Sequence, residues 1–167
     1  MKSKFLIIFY LIFFCTNAIA ENILIEAKNI SLDKDRVTSI FENEVKVKTK
    51  NGVIKSEYVK YNKKTGTLII KNNVVMLDNE NNTINTEYAE YNENNKIFTS
   101  RGPTTIITSE KYILEGKNIT LNNEKRIIFS KEDSILKDQD GNRISLINFE
   151  YLIEKNIFKS LGLVNIK

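Results

Sequence analysis

The pattern I-x-[ST]-E-Y-x-x-Y-N occurs twice in this chain, as Ile54–Asn62 and again 30 residues later as Ile84–Asn92. A fixed period of this size marks one structural unit used several times. Stepping by 30 from Tyr61 and Tyr91 reaches Leu121 and Tyr151, and a step of 29 backward reaches Leu32. Two residues before each of these anchors lie Ile30, Val59, Ala89, Ile119 and Phe149. Seven before lie Ile25, Ile54, Ile84, Leu114 and Ile144. Every one of these slots is apolar, so the chain is about five copies of one unit.

Within a unit the periodicity is two. Val45-Lys46-Val47-Lys48-Thr49-Lys50 alternates apolar with charged residues, as a half-buried strand does. Between such runs stand Asn-Lys-Lys-Thr-Gly, Asp-Asn-Glu-Asn-Asn, Asn-Glu-Asn-Asn-Lys and Asp-Gly-Asn, all turn formers. A second turn-like slot recurs at Asn43, Asn72, Gly102, Glu132 and Gly162. The step from Ser56 to Val59 is three residues, so a bulge or corner there is needed if Ile54 and Ser56 share a face with Val59 and Tyr61. No stretch after the N-terminal segment has helical spacing. The expectation is an all-β fold, an elongated open jelly roll in which each unit gives strands to both walls.

The first 20 residues read differently. Lys2 and Lys4 precede the apolar run Phe5–Cys15, and Ala18-Ile19-Ala20 closes the segment. That layout predicts a cleavable export signal over 1–20 and a jelly-roll domain over 21–167. Eleven apolar residues are too few to span a bilayer, which takes roughly 20. Removing Lys2 and Lys4 leaves 23 basic against 21 acidic side chains, so no large basic field argues for nucleic acid.

Catalytic groups are scarce. The chain has no histidine, and its one cysteine, Cys15, lies in the leader. Ser56, Ser109, Ser134 and Ser145 stand in strand-like surroundings without a nucleophile elbow. Glu57 and Glu87 fill the same slot of adjacent units and read as an outward ladder rather than as a glycosidase pair. Asp138–Asn142 resembles half a calcium loop but lacks the later bidentate glutamate, and reads as a β-turn. Neither a catalytic residue, a metal site nor a cofactor is expected. Lys46, Lys48, Lys50, Lys55 and Lys60 fall on outward beats, where they keep strands soluble and unpaired.

The repeated phrase, with the apolar strand after it and the beat Asn72-Asn73-Val74-Val75-Met76, resembles the OstA-like family, the periplasmic lipopolysaccharide-transport proteins of the LptA type, with relatives in LptC and in the N-terminal domain of LptD. The likeness spans Ile23–Lys167. It departs from the usual Gly-Asn-Val at Asn43–Val45, Gly102–Thr104 and Glu132–Ser134. The resemblance implies an apolar interior that shields lipid A acyl chains between the two membranes. On the phase of the alternation, the lipid-contacting residues would be Ile23, Ile25, Val45, Val47, Val59, Tyr61, Leu68, Ile70, Val74, Met76, Ala89, Tyr91, Phe98, Ile106, Ile119 and Leu121. The implied partners are lipopolysaccharide and the jelly-roll domains of the LptC-type and LptD-type proteins. Strands Ile23–Ala27 and Leu163–Lys167 read as open edges, suited to head-to-tail association with copies of the chain or with those domains. Two other readings stand beside this one: a separated N-terminal portion of the LptD translocon, and a stacked-β surface protein with a solid core.

Overall fold

Two consecutive backbone residues in the left-handed region turn the longest strands back over themselves. The structure, a computed structural model, describes residues 23–34 and 36–166. The expected leader therefore lies outside the described residues, as do 21, 22 and 167. The strands are β1 (Leu24–Glu26), β2 (Asn29–Leu32), β3 (Thr38–Thr49), β4 (Gly52–Asn62), β5 (Thr67–Asp78), β6 (Thr83–Asn92), β7 (Ile97–Ser100), β8 (Pro103–Ile107), β9 (Ile113–Lys117), β10 (Thr120–Asn122), β11 (Ile127–Lys137), β12 (Arg143–Leu152), β13 (Ile157–Ser160) and β14 (Asn165–Ile166). Among the described residues the only helical element is one 3-10 turn, Ile153–Lys155. The fold is all-β, as the alternation predicts.

All the pairings are antiparallel and belong to one 14-stranded sheet. The register slips between Glu42 and Val45, between Lys55 and Tyr58, between Lys71 and Val74, and between Ser130 and Asp133. These bulges line up across the sheet and divide it into two halves. One half holds β1, β8, β9, β14, residues 45–49 of β3 and the matching ends of β4, β5, β6, β11 and β12. The other holds β2, β7, β10, β13 and the remaining ends of the long strands. Every strand pairing lies within a half. The halves are joined by covalent continuity at the corners.

The corner chemistry explains the repeated phrase. Asn43 and Glu44 have φ of 65° and 53°, and Asn72 and Asn73 have 64° and 53°. Asparagine tolerates this region better than most residues. The bulge leaves backbone groups outside the ladder, and the motif's own side chains meet them. Ser56 Oγ donates to Tyr58 O at 3.3 Å and Thr86 Oγ1 to Tyr88 O at 3.4 Å. On the outer side Glu57 accepts from Glu44 N and Glu87 from Asn73 N, both at 3.3 Å. The outward-ladder reading of Glu57 and Glu87 thus gains a role: each carboxylate seats the neighbouring bulge. In the fourth unit the serine slot is Gly116, where a Cβ would come within 2.5 Å of Ser134 Oγ. The departing copies around Gly102 and Glu132 still form strands, β8 and the second half of β11.

The turns at the far ends repeat too. Asn62 Oδ1 accepts from Lys64 N and Thr65 N, Asn92 Oδ1 from Asn94 N and Asn95 N, and Asn122 Oδ1 from Lys125 N. Asp138 Oδ1 likewise accepts from Asp140 N and Asn142 N, which occupies that oxygen in a β-turn.

Substituting Asn72 by valine places a β-branched residue at φ 64° and is expected to cost about 1–2 kcal/mol, whereas N72G leaves stability unchanged or higher. Urea unfolding midpoints of the two variants check this, because Asn72 is exposed and neither change alters the core.

Candidate functional site

The inner faces of the two halves form one apolar core. All sixteen residues expected to line an interior lie in it: Ile23, Ile25 and Tyr61 partly buried at its margin, the other thirteen buried. The register arranges them in rows that run the length of the molecule. In one half the row is Ile25, Val47, Ile54, Met76, Ile84, Ile106, Leu114, Leu136 and Ile144, each opposite the next. In the other it is Tyr61, Leu68, Tyr91, Phe98, Leu121, Ile128, Tyr151 and Phe158. Val47, Leu68, Met76 and Phe98 are 0% exposed, so the core is closed by its own side chains.

Two anchor slots depart from the expected inward set. Ile30 is 59% exposed and Leu32 68%. Both belong to β2, which among the described residues pairs only with β3 at the end of the stack and is covered by no further unit. Position along the stack, not the pattern, leaves them bare.

Several core residues fall outside the expected set. Phe41, Leu146 and Ile153 are buried, and Tyr112 packs against the core from the turn after β8. Leu146 occupies a slot that is serine or threonine in the first full units, and Ile153 lies in the 3-10 turn, so neither carries the repeat signal.

Toward the corner the interior becomes polar but satisfied. Thr104 Oγ1 donates to Ser100 Oγ at 2.7 Å, and Ser100 Oγ accepts from Ile119 N at 3.0 Å. Ser130 Oγ donates to Lys117 O at 2.8 Å. These hydroxyls replace ladder bonds where β7 ends before β8 and β9 ends before β10.

At the opposite side, away from the corners, the free ends of the halves meet through side chains. Arg126, in the turn between β10 and β11, forms an ion pair with Glu80, in the turn between β5 and β6, and its Nε lies 3.8 Å from Glu154. Tyr112 meets Phe158 edge to face at a centroid distance of 5.9 Å, and Phe158 stacks on Tyr151 at 4.3 Å. We call this side the mouth. Behind it Asp78 is buried, and that burial raises its carboxyl above the usual range, partly offset by hydrogen bonds from Asn82 and from Glu80 N.

The outward lysines divide. Lys50, Lys55 and Lys60 are exposed, while Lys46 and Lys48 are half-buried along the sheet. Lys48 donates to Glu26 at 2.6 Å and holds that carboxyl below its ordinary range. Lys71 lies 5.7 Å from the ring centroids of both Tyr58 and Tyr88, so the motif's first tyrosines pack with cations on the outer face.

The geometry defines a class: an all-β protein whose sheet is doubled over a continuous apolar interior. No family model matches the chain, and no curated protein matches it. Among solved structures it is similar to the crystal structure of LptH from Pseudomonas aeruginosa, described as the LptA-homologous periplasmic component of the conserved lipopolysaccharide transport device. That likeness has a TM-score of 0.33 and 9% identity, and covers 88% of this chain and 94% of that one. Among the described residues no group of acidic, histidine or cysteine side chains is placed to hold a metal ion, and no helix is long and apolar enough to cross a membrane.

Tyr61 gives the site a measurable titration. Burial pushes its hydroxyl up to about 12, and the Glu93 carboxylate to which it donates at 2.7 Å pushes the same way. An unfolded tyrosine titrates near 10. The protonated form is thus favoured by folding, and its stabilising contribution is complete below pH 10 and lost as pH rises toward 12. The difference in urea midpoint between the parent and Y61F is expected to stay constant up to about pH 10 and to change across that alkaline window. A difference that does not change with pH there would contradict the assigned contact.

Proposed function

We propose that this protein is a periplasmic carrier of lipopolysaccharide, holding lipid A acyl chains between the two halves of its folded sheet. One observation carries the reading. Apolar rows run along both halves, and among the described residues no strand pairing links one half to the other, so the halves can part without breaking a described ladder. A buried methylene is worth roughly 0.8 kcal/mol, so an acyl chain of about a dozen carbons gains on the order of 10 kcal/mol by leaving water. Such cargo needs apolar shelter and no covalent chemistry. The interior offers hydroxyls already bonded at the corner, apolar side chains in the middle and charges only at the mouth.

A second reading, a structural protein with a permanently solid core, is favoured by the complete burial of residues such as Phe98 and Met76. Cargo separates the two. Mass spectrometry of lipid extracted from the purified protein should find acylated lipid. Photo-crosslinkers at Val47, Met76, Tyr91 and Phe98 should capture lipopolysaccharide, while those at Lys55 and Lys60 should not. Lipid-free protein with equal labelling from both sets would favour the solid core.

The edges support association of the carrier with its neighbours. Among the described residues β1 and β2 pair only with β3, and β13 and β14 only with β12, so each end of the described sheet leaves backbone groups facing outward. Joined edge to edge, copies of the chain or jelly-roll domains of the LptC and LptD types would continue the apolar rows from one membrane to the other. Proline at Ile25 removes a donor from β1. It is expected to abolish concentration-dependent assembly in sedimentation, while crosslinkers at Met76 and Phe98, away from this end of the row, still capture lipid in the monomer.

A further inference from the structure

We propose that lipid enters at the mouth between the β5–β6 turn and the β10–β11 turn, and that Arg126 is the receptor for a phosphate on its headgroup, giving up Glu80 to take it. This rests on the carrier reading and adds the port and the group that reads the head.

The first ground is mechanical. The corners are covalent and hydrogen-bonded, whereas the Arg126–Glu80 pair joins the halves by side chains alone. An opening there costs side-chain contacts; an opening at the corners would break strands.

The second ground is that the pair is poorly satisfied. Glu80 Oε2 is buried without a hydrogen-bond partner, and so is Oδ1 of Asn123, three residues before Arg126 in the same turn. A carboxylate taken from water and left with an unmet oxygen loses much of what the ion pair gains. That makes Glu80 a replaceable partner. The side chain of Arg126 is only 26% exposed, so its charge stays partly shielded beside the apolar core. A phosphate oxygen pair matches the guanidinium fork, and hydroxyls on a sugar head are donors of the kind the orphaned acceptors lack.

The third ground is the backbone at Arg126. The turns of this half close on a left-handed residue at a 30-residue period: Arg36, Gly66, Lys96, Arg126 and Asn156, with φ between 53° and 64°. Glycine and asparagine suit that conformation and arginine does not. Arginine or lysine fills three of the five slots, and from its slot the side chain of Arg126 reaches across to Glu80 in the opposite half.

The test uses the purified protein and two probes with the same tail, dodecyl phosphate and dodecyl maltoside, titrated calorimetrically below their micelle concentrations. The parent should bind the phosphate about tenfold more tightly, the scale of one hydrogen bond to a charged group. R126Q should bring that ratio to about one and leave maltoside binding as it was. E80Q keeps the guanidinium, frees it from its present partner, and should tighten phosphate binding about tenfold. If R126Q keeps the phosphate preference, or E80Q leaves phosphate binding unchanged, the port is misassigned while the carrier reading stands. If the parent binds neither probe, the carrier reading fails and the port with it. Thermal melts of both variants check folding; should R126Q not fold, the E80Q arm decides alone.

Discussion

The corner at which each long strand doubles back, built on a left-handed pair in β3 and in β5, is the constraint on which the remainder depends. Side chains alternate faces along a strand, so neighbouring strands keep one inner face through a corner only where the ladder slips to match. At the corners Asn43-Glu44 stand opposite the single residue Glu57, and Asn72-Asn73 opposite Glu87, where the inward positions step by three, from Ser56 to Val59 and from Thr86 to Ala89. Val45 and Val47 can then face the same interior as Phe41, and Val74 and Met76 the same interior as Leu68 and Ile70. One continuous sheet acquires two inner walls, and the core follows from that.

From corner to mouth the interior is graded. Hydroxyls of Ser56, Thr86, Ser100 and Thr104 occupy the corner, where bulges and strand breaks leave backbone groups to be met. Aliphatic and aromatic rows fill the middle. Ionised groups stand at the mouth, where Arg126 and Glu80 close the halves. Under the proposed carrier reading, an amphiphile would lie with its tail inward and its head at the charged side. The gradient is also the arrangement that lets one side open while the other stays hinged, since only the mouth is held by side chains.

The poverty of reactive groups is part of the same picture. Side chains that catalysis could use are engaged structurally: Glu57 and Glu87 seat bulges, and Asp78 and Asp138 build turns. Tyr61 and Tyr151 donate to Glu93 and Asn156 at the ends of their strands.

The sequence by itself determined the strand content, the 30-residue unit and the inward phase of nearly every core residue, because alternation and turn chemistry are local and each unit repeats the same message. The corner was legible from the three-residue step between Ser56 and Val59, although the bond from Glu57 to the next bulge was not. The exposure of Ile30 and Leu32 was hidden because their pattern matches the buried copies, and only their place at the end of the stack strips them of neighbours. Nor could the pattern show Tyr112 against Phe158, or Arg126 against Glu80, pairs separated by many residues and brought together when the halves close. Local periodicity writes the walls. Which wall ends meet, and through which charges, depends on the closure of the whole sheet, and that was decided by the tertiary structure alone.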